Sequence, residues 1–128
     1  MLEYLKFSVG GYFYGYRSIE IHNVEGELEV EFNDLFSTLG VETSCPDDGW
    51  TDKLAALKIE EWKDLYYLEC CDGTQWELDY KFQGKDERHI EGSNAYPEDW
   101  MKLIDLLEEF HPEIDFLCHD YEDEEDEL

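Results

Sequence analysis

The sequence has few basic residues. Nine Lys and Arg stand against 35 Asp and Glu among its 128 residues, which gives a formal charge of −26 at pH 7. Proteins that bind nucleic acid through its phosphates depend on clustered Lys and Arg that displace counterions. Binding to anionic membranes depends on similar basic clusters. The composition therefore argues against direct contact with DNA, with RNA or with an anionic membrane.

Long apolar runs and targeting signals are also lacking. A bilayer-spanning helix needs about 18 or more consecutive apolar residues, and the sequence has no such run. Near the N-terminus, Glu3 and the Gly10-Gly11 pair interrupt the apolar stretch that a secretory signal requires. These absences predict a cytoplasmic protein.

Catalytic and metal-binding motifs are missing as well. None of the four histidines lies in a G-x-S-x-G, H-E-x-x-H or comparable context. The adjacent Cys70 and Cys71 do not form a C-x-x-C pair, and Asp47-Asp48-Gly49 lacks the spacing of a calcium-binding loop. We therefore expect a noncatalytic protein that uses no cofactor and no metal.

Apolar and aromatic residues are present in quantity, at 42% and 16% of the chain, which is enough to build a core. The last ten residues contain seven acids and no base, and such a block cannot offset its ordering entropy by burial. Without them the chain still has 28 acidic and nine basic residues. We predict a single domain over residues 1–118 and a disordered acidic tail over 119–128.

The N-terminal third has the pattern of antiparallel strands. Residues 2–9 and 12–24 predict two strands, with Gly10-Gly11 as a turn or bulge between them. A hairpin turn is predicted at 23–26, where Gly26 can adopt positive φ. A strictly alternating strand follows from Glu27, and residues 34–49 are predicted to form a loop with a helical turn near 35–39.

The rest of the chain predicts two helices and a second hairpin. A helix capped by Thr51 or Asp52 is expected over 51–65, with a break near Lys58. Strands are expected at 76–82 and 88–92, joined through Gly84. The last helix is predicted to begin at Pro97 and to end before Pro112. The predicted fold is an α+β domain in which about five antiparallel strands pack against two helices.

The acidic residues are arranged in rows. Glu27, Glu29 and Glu31 lie on one face of their strand, spaced about 6.7 Å apart. Glu20 on the preceding strand, with Glu77 and Asp79 on a later one, would extend the row if these strands share a sheet. A solvated polar face is the simpler interpretation, but the charge of the whole domain favours a functional anionic surface. The predicted partner-binding acids are Glu20, Glu25, Glu27, Glu29 and Glu31.

A cluster of tyrosines precedes these acids. Alternation places Tyr12, Tyr14 and Tyr16 on one face of the predicted second strand. Tyrosine is common at protein interfaces because it buries area while keeping a polar end. Packing in the core or at a sheet edge is the alternative for this cluster, but Tyr12, Tyr14 and Tyr16 are predicted to support partner binding beside the acids.

Part of the chain resembles a sequence pattern found in small bacterial α+β proteins. The matching segments are Asp72-Gly73-Thr74-Gln75-Trp76 and Gly92-Ser93-Asn94-Ala95-Tyr96-Pro97, followed by Trp100. The resemblance covers about a third of the chain. It implies a shared small domain, and it assigns no functional residue.

In charge and size the sequence is similar to inhibitors that imitate nucleic acid, such as anti-CRISPR and anti-restriction proteins, and to immunity proteins that cap basic nuclease toxins. The leading hypothesis is a noncatalytic inhibitor in the bacterial cytoplasm. It would bind the basic nucleic-acid site of a nuclease or CRISPR effector. The alternatives are an immunity or adaptor protein with an aromatic contact surface, and a small enzyme. The oligomeric state stays open.

Overall fold

The computed structural model describes residues 2–11, 15–34, 41–47, 49–68 and 74–110. In these ranges the chain forms one seven-stranded sheet and two α-helices, so the predicted α+β class is confirmed and the predicted number of strands is two too low. The strands are β1 (Leu2–Gly11), β2 (Gly15–Val24), β3 (Glu27–Asp34), β4 (Val41–Pro46), β5 (Leu65–Tyr67), β6 (Thr74–Phe82) and β7 (Arg88–Ser93). The helices are α1 (Trp50–Ala56) and α2 (Trp100–Glu108), with a 3-10 helix at Ile59–Glu61.

The strands are ordered β4-β3-β2-β1-β6-β7-β5 across the sheet. The first four form an antiparallel meander, and β6 pairs with the free side of β1. β7 pairs antiparallel with β6, whereas β5 pairs with β7 in parallel. The sheet is therefore not wholly antiparallel, in contrast to the prediction.

The two predicted hairpins of the acidic strands are confirmed. Val24 pairs with Glu27, so the β2–β3 turn consists of Glu25 and Gly26 alone. Both residues have positive φ, 53° and 90°, as a two-residue turn of the mirror-image type I requires. The side-chain carbonyl of Asn23 accepts a hydrogen bond from the Gly26 N–H at 3.0 Å. Gly84, with φ of 80°, serves the β6–β7 turn.

The prediction that Gly10-Gly11 forms a turn or bulge is wrong. Both glycines lie within β1 and pair with Tyr16 and Gly15. The second strand begins at Gly15 rather than at Tyr12, and residues 12–14 lie outside the described ranges.

The predicted loop over 34–49 and the predicted helix over 51–65 also need correction. Val41–Pro46 forms the edge strand β4. α1 ends at Ala56, and Lys58 adopts a left-handed conformation with φ of 56°, so the predicted break is confirmed. The chain then forms the 3-10 helix and enters β5. Neither Thr51 nor Asp52 caps α1, because both lie within the helix, whose N-cap is Gly49. The Asp47 carboxylate accepts a hydrogen bond from the N–H of Thr51 at 3.1 Å.

α2 begins three residues after Pro97, which starts a turn in which the Trp100 N–H donates to the Pro97 carbonyl at 3.1 Å. Phe110 contacts Trp50 at 4.9 Å between ring centroids. The predicted helix end at Pro112, the domain limit at 118 and the acidic tail lie outside the described residues. Neither helix of the described ranges has the length or apolar character needed to cross a bilayer.

Both helices cover the same face of the sheet. Apolar side chains of β1, β2, β3, β6 and β7 alternate toward this face and form one buried cluster with α1 and α2. Trp76 illustrates the packing, since it lies 4.8 Å from Trp100 between ring centroids and its indole N–H donates to the Ala95 carbonyl at 2.9 Å. The residues that alternate with this cluster form the opposite face, which we call the open face.

Candidate functional site

The open face is strongly acidic. Among the described residues, seven carboxylates alternate with core positions on four of its strands, against the two lysines Lys6 and Lys81. The seven are Glu20, Glu27, Glu29, Glu31, Glu77, Asp79 and Glu91. The alternation of β3 is strict, because Leu28, Val30 and Phe32 are buried between the three glutamates. Period-2 patterning of this kind fixes which side chains face away from the core.

The strand register brings these groups into rows across the sheet. Glu31 pairs with Glu20, Glu20 with Lys6, Lys6 with Asp79, and Asp79 with His89. Neighbouring strands lie about 4.8 Å apart. The sequence-based condition that Glu20, Glu77 and Asp79 share a sheet with the glutamates of β3 is therefore met.

Several of the acids face one another directly. Glu20 opposes Glu31, and Glu77 opposes Glu91. Like charges directly opposite one another on neighbouring strands destabilise a sheet. The open face thus carries an arrangement of charge that works against the stability of its own fold.

The β2–β3–β4 part of the open face forms a shallow groove of about 420 Å³. The imidazole Nε2 of His22 lies 3.7 Å from an oxygen of Glu20, and the Ser44 hydroxyl donates to Glu27 at 3.5 Å. Within the described chain, no Lys or Arg forms an ion pair with the three glutamates of β3. The residues that line the groove include Glu20, His22, Glu29, Glu31 and Ser44.

The lysines of the open face are already engaged with neighbouring groups. Lys81 forms a close ion pair with Glu3, and the ammonium of Lys6 lies 5.9 Å from the ring centroid of Tyr4. The charge of Glu87, through a hydrogen bond to the hydroxyl, raises the pKa of Tyr4 to about 12. The two lysines therefore stay near β1, and no Lys or Arg of the described ranges is paired with the three glutamates of β3.

His89 lies among carboxylates at the other end of the open face. Its Nδ1 is 2.6 Å from Asp79, and its Nε2 is 3.2 Å from Glu91. Hydrogen bonds to Asp79 and then to Glu91 raise the pKa of His89 above its ordinary value. A protonated His89 can donate from both ring nitrogens, which neutralises part of this acidic cluster.

A metal ion is the other group that these residues could hold. Potential ligand atoms of Glu77, His89 and Glu91 all lie within 4.8 Å of one another. All three side chains are exposed, and exposed acidic groups of this kind are common in proteins without a metal. A contact of 3.2 Å between His89 Nε2 and Glu91 already links two of the three side chains.

The other residues predicted to bind a partner occupy different places. Glu25 lies in the β2–β3 turn and is exposed, so it extends the acidic surface at its end rather than within a row. Tyr16 lies in β2 opposite Gly10. Tyr12 and Tyr14 lie outside the described residues.

Sequence reasoning missed three features of the open face. His89 and Glu91 flank the buried Ile90, and this alternation was a signal that they share the face of the acids. The position of Lys6 between Glu20 and Asp79 depends on long-range strand pairing, for which a single sequence gives no signal. The exposed apolar side chains of β5 were missed because the predicted helix ended at residue 65 and no element was predicted for residues 66–68.

Comparison with known proteins gives no assignment: the sequence matches no protein-family model, and no curated protein matches it significantly.

Proposed function

We propose that the protein is a noncatalytic inhibitor that binds the basic nucleic-acid site of an enzyme and competes with the nucleic acid. The observation that carries this proposal is the two-dimensional array of carboxylates on the open face. Along a strand the glutamates repeat at about 6.7 Å, and across strands the rows are about 4.8 Å apart. Duplex DNA also carries its charges a few ångströms apart, one per about 1.7 Å of helix axis.

The energetics of the array support a role in binding. Opposed pairs such as Glu20 with Glu31 cost stability, and the glutamates of β3 have no basic partner among the described residues. A channel lined by Lys and Arg supplies the missing counter-charges and attracts the open face over long distances. The proposed partner is thus a nuclease, a CRISPR effector or a basic toxin in the bacterial cytoplasm.

The first experiment is a pull-down with the tagged full chain from a bacterial lysate at about 50 mM salt, eluted with 0.5 M salt. Each basic protein identified is then purified, and its binding to DNA or RNA is measured with and without the inhibitor. We expect the inhibitor to compete with the nucleic acid. We also expect the affinity of the partner for the inhibitor to fall by about 100-fold or more between 50 and 200 mM salt, as in other complexes held together by charge. A partner whose nucleic-acid binding is unaffected contradicts the proposal.

The site itself is tested by neutralising the acids of β3. E27Q/E29Q/E31Q is expected to weaken binding to the identified partner at least tenfold, because it removes three adjacent charges of the array. D52N/E98Q/D105N removes three exposed acids from the helical side and serves as the matched control. Deletion of residues 119–128 is expected to have a smaller effect than the β3 variant. Equal losses from the β3 and control variants would mean that only net charge matters.

The alternative of an immunity or adaptor protein with an aromatic interface predicts a complex that survives the 0.5 M wash. Screening at that salt removes most of the attraction between exposed charges, since the Debye length falls to about 4 Å. A salt-resistant partner would thus favour the alternative.

A further inference from the structure

The edge strand β5 carries an exposed apolar patch. Leu65, Tyr67 and Leu68 are 56%, 64% and 58% exposed, and they lie within four consecutive residues. We call these three residues the β5 patch. Single exposed apolar side chains are normal on protein surfaces, but adjacent ones mark contact sites.

The register places Leu65 and Tyr67 of the β5 patch on the same side of the sheet as the acids, and Leu68 follows them at the end of the strand. In the parallel β5–β7 pair, Leu65 is beside Glu91 and Tyr67 is beside Ser93. The intervening Tyr66 points to the core instead, 5.8 Å from Trp76 between ring centroids. The open face therefore runs from the glutamates of β3 through Asp79 and Glu91 to an apolar edge.

The patch is held firmly in place. The Leu68 N–H donates to the Ser93 carbonyl at 3.0 Å, and the Glu91 N–H donates to the Asp64 carbonyl at 3.0 Å. The Asp64 carboxylate in turn accepts from Arg88 at 2.6 Å. A backbone fixed in this way has less conformational freedom to lose on binding, which favours the use of its side chains as anchors.

From this placement we propose that the β5 patch is the apolar anchor of the acidic binding surface, and that it takes an apolar side chain lying beside the basic groove of the partner. The proposal rests on the proposed function. Charge decides the occupant. A second copy would bring a further −26 against Glu77 and Glu91, and residues 119–128 would bring seven more acids. A basic protein surface is the occupant whose charge matches the neighbourhood of the patch.

Two synthetic peptides of equal charge provide the probe. Both have 14 residues with eight lysines; one has only Gly and Ser between them, and the other has Trp and Leu at two central positions. Isothermal titration at 150 mM salt measures their affinity for the full chain. We expect the Trp/Leu peptide to bind about tenfold more tightly, the gain typical of burying one large apolar side chain. Addition of the Trp/Leu peptide should also change the NMR chemical shifts of the backbone amides of residues 65–68 in the full chain.

The variant L65S/Y67S/L68S is expected to abolish the difference between the two peptides while leaving the Gly/Ser peptide unaffected. M101S removes another exposed apolar side chain, 47% exposed on α2, and serves as the control. If the triple variant unfolds by circular dichroism, Y67S alone replaces it. Equal affinity for both peptides, or an advantage that survives Y67S, overturns the proposal.

Two further outcomes separate this inference from the proposed function. If E27Q/E29Q/E31Q binds the Gly/Ser peptide as tightly as the parent chain does, the acidic array does not bind basic partners and the proposed function is contradicted. If sedimentation shows a dimer that the triple variant abolishes, the β5 patch binds a second copy and the inference is overturned.

Discussion

His89 is the residue of the open face whose charge responds most directly to pH near neutrality. Its two ring nitrogens face the carboxylates of Asp79 and Glu91. The protonated imidazole is therefore stabilised by the fold, and the pKa of His89 lies above that of an unfolded histidine, about 6.5. This contribution to stability is fully present below pH 6.5 and is lost as pH rises through the raised pKa.

Removing the larger cause should lower the pKa of His89. Asp79→Asn is expected to shift the imidazole titration to lower pH, because the hydrogen bond from Nδ1 to a carboxylate is lost. NMR titration of the histidine ring signals, with H89N for assignment, measures the shift. Ser18→Ala, on the same face and away from His89, is the control. An unchanged titration in D79N would mean that Asp79 does not set the pKa of His89.

Arg88 is the residue that fixes the 3-10 helix to the sheet. Its guanidinium donates to the carbonyls of Ile59, Glu60 and Trp62 at 3.1, 2.9 and 2.9 Å. It also donates to the Tyr80 hydroxyl at 3.2 Å. The Arg88 side chain thus provides hydrogen-bond donors for three backbone carbonyls in and after the 3-10 helix.

Arg88→Met keeps most of the apolar stem and removes every donor. The free energy of unfolding should fall by about 2–4 kcal/mol, because several partly buried acceptors lose charge-assisted hydrogen bonds. Lys85→Met removes only the exposed ion pair with Glu60 and should cost about 1 kcal/mol or less. Urea denaturation compares the two, and similar losses would contradict the role assigned to Arg88.

At the scale of elements, the β6–β7 pair depends on a close approach between Gly92 and Trp76, which are paired in register. A Cβ added at Gly92 would lie 2.1 Å from the indole nitrogen of Trp76. The ring has little room to move, since it also packs on Tyr66 and Trp100. Glycine is therefore required at this position to accommodate the tryptophan.

Gly92→Ala should accordingly destabilise the protein by about 2–3 kcal/mol, within the range for overpacking a core. Ser93→Ala, one residue along the same strand, removes only an exposed hydrogen bond with Gln75 and is the control. Thermal denaturation and the near-ultraviolet signal of Trp76 measure the effect. Normal stability of G92A would show that the indole can reposition without cost.

The strands that sequence alone predicts are those with strict alternation. In β3 and β6 every second residue is buried, and this pattern identifies both the strand and its face. β4 has a polar sequence that ends in Pro46. An edge strand tolerates such residues because it is hydrogen-bonded to a neighbouring strand on one side only. β5 has three residues and pairs in parallel with a strand more than 20 residues away. Neither strand carries a local signal that could have predicted it.

The same distinction applies to the candidate site. The row formed by Glu27, Glu29 and Glu31 follows from local alternation, and its extension through Asp79 follows once β1 is known to separate the two halves of the sheet. The β5 patch could not be predicted, because the residues beside it come from β7 and the register depends on a long connection. Local patterns predict which face of a strand a side chain occupies, but only the strand order shows which residues of different strands lie side by side.

At the scale of the whole molecule, the charge opposes the fold that carries it. A formal charge of −26 makes the compact state repel itself, and the opposed acids of the open face concentrate that repulsion. Screening by salt should therefore stabilise the protein.

The melting temperature is expected to rise by several degrees between 20 and 500 mM NaCl. E27Q/E29Q/E31Q should raise the melting temperature at low salt and reduce its salt dependence, since removing three carboxylates relieves like-charge pairs. D52N/E98Q/D105N is the control for net charge alone. A β3 variant that is less stable than the parent chain at low salt would contradict this view of the array.

The central position of β1 has a consequence for how the chain is made. β1 is synthesised before the other strands of the sheet and can form a meander with the next three, but its other side must wait for β6, about 70 residues later. Until β6 and α2 follow, one edge of β1 is unpaired and Phe7 lacks its contact with Trp100, and an unpaired strand edge of this kind invites association between nascent chains. The carboxylates of β2 and β3 are already in place at that stage. Like-charged surfaces repel one another, so the acidic array is expected to reduce association between incomplete chains during synthesis.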